Sequence, residues 1–218
     1  MWATVVPIVQ HWAAGLPLQI ERLVRGVLPF GGRINETVLS AELGVSRTPL
    51  RESLLDLQRE GFLRSDTARG FTVRPLSQHE VKETYPVLWT LECLALRTAE
   101  RLPDVEKLFD YNEKMRQAKN HPEQALEHDS SWHAIVISEC HNERLRSMIT
   151  ELKHTIRRYE YEFMWDAEHI ERSVEQHRKV IEALSKNDIQ QAERALQENW
   201  RTGMESLLRQ LIRDAMIR

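Results

Sequence analysis

The chain has 218 residues, 41% hydrophobic and 29% charged, with a formal net charge of −3 at pH 7, a composition expected of a soluble globular protein with one large domain or two small ones. Eight glycines and eight prolines along the whole chain exclude collagen-like and low-complexity classes, and no apolar run approaches the roughly 18–20 residues that span a bilayer. Two cysteines, Cys93 and Cys140, are too few for a disulfide framework and fit a reducing, cytoplasmic setting without membrane association.

The opening stretch, residues 1–17, is apolar but has no basic leading region, and Pro7, Gln10 and His11 interrupt it. It does not read as a secretory signal, and residues 1–15 receive no role. Residues 16–76 hold nine Lys or Arg against seven Asp or Glu, and the remainder hold 21 against 26. Bulk charge is therefore a weak guide, and the case for a nucleic-acid partner rests on local arrangement.

The chain changes character at Arg74-Pro75-Leu76-Ser77, which divides it into residues 1–76 and 77–218. Before that point, segments are short and punctuated by Pro29, Gly31, Gly32, Gly44, Pro49, Gly61 and Gly70. Asn35 predicts the cap of a short helix that turns Val38, Leu39 and Leu43 inward. Gly44 supplies a tight turn, because it tolerates positive φ at little cost. Ser46 stands where the cap of a second helix belongs, and Pro49 falls in its first turn, where a missing N–H is harmless. Leu50, Leu54 and Leu57 form one apolar stripe, and Gly61 ends the helix. The opposite face carries Arg47, Thr48 and Arg51. The start of such a second helix is the part that enters a major groove, where Arg bonds guanine O6 and N7 in bidentate fashion. Phe62-Leu63 and Phe71-Thr72-Val73 predict two short strands joined by Thr67-Ala68-Arg69-Gly70, a wing with Arg69 at its tip. Spacing alone also allows a plain helical hairpin with solvated arginines.

Beyond Ser77, apolar residues recur at i, i+3, i+4 and i+7 over long stretches. Leu88, Leu91, Cys93, Leu94 and Ala95 belong to one helix. Ile135, Val136, Leu145, Met148, Ile149, Leu152 and Ile156 run through others. Val180, Ile181 and Leu184 belong to a further helix, and Ile189, Ala192, Leu196, Met204, Leu207, Leu208 and Leu211 complete the series. This predicts an all-helical antiparallel bundle able to bury its own core, so the chain as a whole is mainly α.

Asp129 and His133 are i,i+4 neighbours on one helix face. His177 lies downstream, and Ser185-Lys186-Asn187-Asp188 breaks the helix midway between His177 and Asn199. An antiparallel hairpin would set those two level, so that Asp129, His133, His177 and Asn199 surround one point. A histidine in a bundle also serves as an ordinary hydrogen-bonded residue, and spacing does not separate these readings. Trp89, Trp132, Tyr159 and Trp165 are candidates for an aromatic pocket or plain core. His128-Asp129 is an HD dipeptide of the kind used by helical metal-dependent phosphohydrolases. However, His121 is too close upstream for a first ligand, and no GxSxG, HExxH or Gly-rich phosphate loop is present.

Two stretches resemble known families. Gly26-Val27-Leu28-Pro29-Phe30-Gly31-Gly32-Arg33-Ile34-Asn35-Glu36, then LGVSRTPLRESLLDLQREGFL, then Gly70-Phe71-Thr72-Val73 resemble the winged helix-turn-helix of the GntR family of bacterial transcription regulators. The resemblance implies DNA contacts by Ser46, Arg47, Thr48, Pro49 and Arg51, and by Thr67, Ala68, Arg69 and Gly70 in the wing. Thr37 stands where some members place a phosphate-binding Arg. The helical half resembles the FadR-type C-terminal (FCD) domain, whose metal-binding members show D-x-x-x-H followed by two further histidines. Asp129 and His133 match the first part, Glu175-Gln176-His177 approximates the second, and Asn199 replaces the last histidine. The resemblance thus implies a divalent metal, Zn²⁺, Ni²⁺ or Mn²⁺, on Asp129, His133, His177 and Asn199, the last being a poorer ligand than imidazole for Zn²⁺ or Ni²⁺. Leu88 occupies a position where members often carry an Arg that favours a carboxylate effector.

Together these resemblances imply a non-enzymatic, homodimeric repressor on a palindromic operator, whose affinity a small-molecule effector or metal adjusts by changing the spacing of the two wings. A DNA-binding regulator with a ligand-free dimerisation bundle is the alternative, and an HD-type phosphohydrolase is a further one.

Overall fold

The computed structural model describes residues 31–59, 61–66, 70–75, 77–163 and 167–217. The chain divides between Leu76 and Ser77 into two units.

The first unit contains α1 (Glu36–Leu43), α2 (Arg47–Arg59), β1 (Leu63–Asp66) and β2 (Gly70–Val73). Asn35 caps α1, its Oδ1 accepting from the backbone N–H of Thr37 at 3.0 Å and of Val38 at 3.2 Å. Gly44 closes the helix in the left-handed region, φ 64°, and turns the chain into α2. Leu50, Leu54 and Leu57 of α2 are buried with Ile34, Leu39, Phe62, Leu63, Phe71 and Val73 in one core, with Leu43 and Val45 packed on its edge. Each such side chain, fully buried, contributes roughly 1.5–3 kcal/mol. At the end of α2, Gly61 sits at φ 83° and the Phe62 N–H donates to the Leu57 carbonyl at 2.9 Å, which gives the tight helix ending its glycine predicted.

β1 and β2 pair antiparallel, Leu63 opposite Val73 and Ser65 opposite Phe71. One expectation needs correction here. Val38 is 50% exposed, because a two-turn helix has room for only a narrow inward stripe and Leu39 occupies it. The hairpin also gains a third backbone segment. Ile34 N–H donates to Phe71 O at 2.9 Å and Val73 N–H to Gly32 O at 2.9 Å, so residues 31–34 line the free edge of β2.

The second unit is helical among its described residues: α3 (Gln78–Arg97), α4 (Val105–Gln117), α5 (Pro122–Val136), α6 (Glu143–Phe163), α7 (Ala167–Ser185) and α8 (Ile189–Ile217). Ser77, Asp104 and Asp188 cap α3, α4 and α8 through side-chain oxygens, and Pro122 opens α5. α3 packs on α6 and α8, α4 on α5 and α7, and α7 on α8. Met115, Ala118, Ala125, Leu126, Ile170 and Val174 form a cluster joining α4, α5 and α7. The α7–α8 hairpin turns at Asn187, a left-handed residue at φ 56°. Leu94 and Met148, placed with the apolar stripes, are 38% and 41% exposed. The fold is that of a winged helix-turn-helix followed by a helical bundle.

Candidate DNA-binding face and metal centre

Ser46 precedes α2 directly, and Ser46, Arg47, Thr48 and Arg51 are exposed on the side away from Leu50, Leu54 and Leu57, with Pro49 half-buried. The capping helix reaches both arginines. Arg47 Nη2 donates to Thr37 Oγ1 at 2.6 Å, and Arg51 Nη1 lies 3.8 Å from Glu36 Oε2. Glu36 also stands beside Gly70 at the start of β2, with its Oε1 3.7 Å from where a β-carbon at Gly70 would be. An exposed pair of this kind is worth little, on the order of 0–1 kcal/mol, so it orients Arg51 without withholding it from a stronger partner. Thr67, Ala68 and Arg69 lie outside the described residues, and Gly70 is the described member of the predicted wing contacts.

In the second unit, α5 and α7 bring Asp129, His133 and His177 together, and all three are buried. Each offers a ligand atom, and these atoms lie within 4.8 Å of one another. His177 Nε2 is 3.5 Å from Asp129 Oδ1, and His133 Nε2 is 4.0 Å from Asp129 Oδ2. The His177 ring is 0% exposed, neither of its nitrogens has a hydrogen-bond partner, and it lies flat on Trp132, centroids 3.7 Å apart and planes 3° from parallel. A buried polar group normally finds a partner, so an orphaned His177 Nε2 at 3.5 Å from a carboxylate oxygen fits a cation between them. Burial, reinforced by nearby His133, holds the His177 pKa well below the usual imidazole range, which keeps the ring neutral as a ligand must be. Burial raises the Asp129 carboxyl against the opposing pull of His133 and Lys153.

His133 Nδ1 is 2.9 Å from Glu92 Oε2, which leaves Nε2 for an ion, the arrangement that fixes ring orientation at metal sites. Glu92 is fully buried, also accepts from Trp200 Nε1 at 2.6 Å, and pairs with Lys153 Nζ at 2.8 Å. Burial alone would raise its pKa, but Lys153 and His133 overcome that and bring it down to about 2. The α7–α8 hairpin sets Asn199 level with Gln176, whose Oε1 accepts from Asn199 Nδ2 at 3.3 Å. Gln176 is itself turned by its bond to Thr202 Oγ1 at 2.9 Å. Asn199 lines a cavity of about 50 Å³ with Asp129, His133 and Glu160. A cavity of about 190 Å³ also reaches Asp129, His133 and Glu160 and is lined by Lys153 and Arg157. Burial, followed by the charge of Asp129, pushes the Glu160 carboxyl up to about 8.

Family profiles match both units. That of "Bacterial regulatory proteins, gntR family" covers residues 20–73, and that of the FCD domain covers residues 83–202, more than half of the chain. The chain belongs to the GntR family, with an FCD domain. Its relatives include the Bacillus subtilis HTH-type transcriptional regulator YdhC, 29% identical over 180 residues and spanning 78% of this chain and 79% of the other. The Nta operon transcriptional regulator of Aminobacter aminovorans is 35% identical over 58% of this chain and 62% of its own length. The Escherichia coli repressor RspR is 24% identical over 87% of each chain. Among solved structures, E. coli McbR/YncC superposes with a TM-score of 0.73 at 23% identity, covering 92% of this chain and 98% of that one, so it shares the fold. This GntR protein is a DNA-binding transcriptional regulator and not an enzyme. His128 of the HD dipeptide packs edge-on against Tyr111, centroids 6.1 Å apart, and is not among the residues whose ligand atoms gather at Asp129. No helix among the described residues is long and apolar enough to cross a membrane.

Of the aromatic residues singled out from the sequence, Trp89, Trp132 and Tyr159 do not converge. Trp132 stacks on His177, whereas the buried Tyr159 hydroxyl accepts from the Ser77 N–H at 3.1 Å and bonds the Glu80 carboxylate. Trp89 lines a surface groove with Arg97 and Glu193, and Trp165 lies outside the described residues. Beside Trp132, a second aromatic at the ligands is Trp200, its ring centroid 4.5 Å from that of His133, which sequence reasoning passed over together with Glu92, Lys153 and Glu160. Leu88 is fully buried and places no cation at the site, whereas Lys153 brings one from α6.

Proposed function

We propose that this regulator is a repressor, that it binds a palindromic operator as a homodimer, and that a divalent metal and a small-molecule effector in its FCD domain set its affinity for DNA. Residues 1–76 serve as the DNA-binding domain and 77–218 as the ligand-binding and dimerisation domain, in the cytoplasm. Ser46, Arg47, Thr48, Pro49 and Arg51 enter the major groove, with Thr67, Arg69 and Gly70 of the wing beside them. Arg47 and Arg51 read bases, and the hydroxyls of Ser46 and Thr48 fix register on the backbone. RspR, which is named a repressor, supports the direction of control.

The observation that carries the metal reading is the unpartnered, fully buried His177 Nε2, which lies 3.5 Å from Asp129 Oδ1. Asp129, His133, His177 and Asn199 would hold Zn²⁺, Ni²⁺ or Mn²⁺, which when bound supplies a positive centre for an effector donor atom. Glu92 holds the His133 ring in place, and Gln176 holds the Asn199 amide. The cavity of about 190 Å³ gives the effector room beside Lys153 and Arg157. An effector that binds one wing spacing better than the other shifts operator affinity by that difference and no more.

Elemental mass spectrometry of protein purified without chelator, paired with melting curves before and after EDTA, tests this reading. The expected result is close to one metal equivalent per chain and a lower melting temperature on chelation. Metal-free protein with no change on chelation overturns it and leaves the bundle as a ligand-free dimerisation module.

A further inference from the structure

We infer that the outer seam between α3 and α6 is the face on which two copies of this chain meet, the two α6 helices running antiparallel with Arg144 of each copy opposite Glu151 of the other. This rests on the homodimer reading above and assigns it a surface. The two helices pack side by side, and contacts at both ends fix their register. The Tyr159 hydroxyl on α6 bonds Ser77 and Glu80 at the start of α3. Thr98, which caps the far end of α3, places its Oγ1 4.0 Å from the Sγ of Cys140, just before α6. The helices are therefore antiparallel, with Val87 level with Leu152 and Leu91 level with Met148. Val87, Leu91 and Leu94 follow i, i+4, i+7 spacing on the flank of α3 that also carries Glu80 and Thr98. Met148 and Leu152 stand on the flank of α6 that carries Tyr159. Both stripes border one seam, yet water reaches them. Val87, Leu94 and Met148 are 46%, 38% and 41% exposed, and Leu91 and Leu152 are half-buried. Contiguous apolar surface of this kind marks an interaction site.

The charges on that flank point to a second copy as the occupant. Arg144, Met148 and Glu151 are exposed on one face of α6 at i, i+4 and i+7, and the midpoint between the two charges falls between Ser147 and Met148. A two-fold axis at that midpoint sets Arg144 against Glu151 twice, once on each side. The two Met148 side chains then lie between the ion pairs, with Val87, Leu91 and Leu94 of each α3 beside them. Such a contact is isologous, the same patch serving both copies, and it closes at two subunits. A parallel pairing would set Arg144 on Arg144 and Glu151 on Glu151, which like-charge repulsion disfavours. An unrelated partner gives no reason for opposite charges placed symmetrically about one apolar residue.

The test is sedimentation equilibrium of the full chain over a range of concentrations, with circular dichroism as the check on folding. Wild type is expected to be a dimer. Met148→Asp sets a charge at the centre of the apolar face and is expected to raise the dissociation constant by roughly thirtyfold or more, with helix content unchanged because Met148 is exposed in the single chain. Leu94→Asp, on α3, is a second probe of the same face. Arg144→Glu and Glu151→Arg are each expected to weaken the dimer by about tenfold, since each creates two like-charge contacts. The double variant, Arg144→Glu with Glu151→Arg, is expected to recover the wild-type constant to within about threefold, the signature of direct pairing. If wild type is a dimer that neither Met148→Asp nor Leu94→Asp weakens, this face is overturned and the homodimer reading survives on another surface. A double variant no tighter than the single ones overturns the antiparallel register. A monomeric wild type overturns both this face and the homodimer reading.

Discussion

The two units place their polar residues in opposite ways. In the winged unit, Ser46, just before α2, and Arg47, Thr48 and Arg51 on it project into solvent from a helix whose other face is sealed by leucines. In the bundle, Asp129, His133, His177 and Asn199 are buried, and Glu92 behind them is inaccessible to solvent. An exposed set contributes to binding without costing the fold much, because water solvates it until DNA arrives. A buried set must be compensated from within, so every unpaired atom in it carries information about a missing partner. The lesson is that the same residue types need different arguments: periodicity and position for the first set, hydrogen-bond bookkeeping for the second.

The largest expected effect separates the scaffold from its exposed face. Leu54→Ala should destabilise the winged unit by about 2–5 kcal/mol, read by thermal melting, while metal content per folded chain stays the same. Loss of metal in that variant would break the contrast between the units. Arg47→Ala or Arg51→Ala should each cost about 1–3 kcal/mol of operator affinity in gel shifts on a selected operator, with no drop in melting temperature. Unchanged binding in both variants would remove α2 from the groove. His177→Ala should abolish the response of the melting temperature to EDTA, a smaller effect confined to the bundle, measured by the same melting curves. Smallest is Thr37→Val, which deletes the acceptor of the Arg47 bond and should weaken operator binding by about 0.5–1.5 kcal/mol. No change in the gel shift would mean that DNA reorients Arg47 unaided.

Much of the winged unit was legible because each signal was local. Asn35, Gly44 and Gly61 mark helix ends by their own conformational needs, and Leu50, Leu54 and Leu57 mark a face by spacing alone. The backbone pairing of residues 31–34 with β2 was not legible, since Gly31-Gly32-Arg33-Ile34 has no alternating pattern and its hydrogen bonds depend on where Phe71 and Val73 come to rest. In the bundle, hairpin arithmetic set Asn199 opposite the His177 region, and the Asn199–Gln176 bond reflects that register. Glu92, Lys153, Glu160 and Trp200 come from α3, α6 and α8, and no spacing rule reports convergence between helices that distant in the chain. Glu92 did leave a trace, as an acid four residues from both Leu88 and Leu96, two residues of a buried stripe.

The flat contact between His177 and Trp132 has a consequence for the entropy of ligation. An imidazole pressed along its whole face against an indole cannot rotate about its side-chain bonds, so folding has already removed the freedom that coordination would otherwise take away. A ring immobilised in this way loses little disorder when an ion arrives, and a larger share of the bond formed appears as affinity.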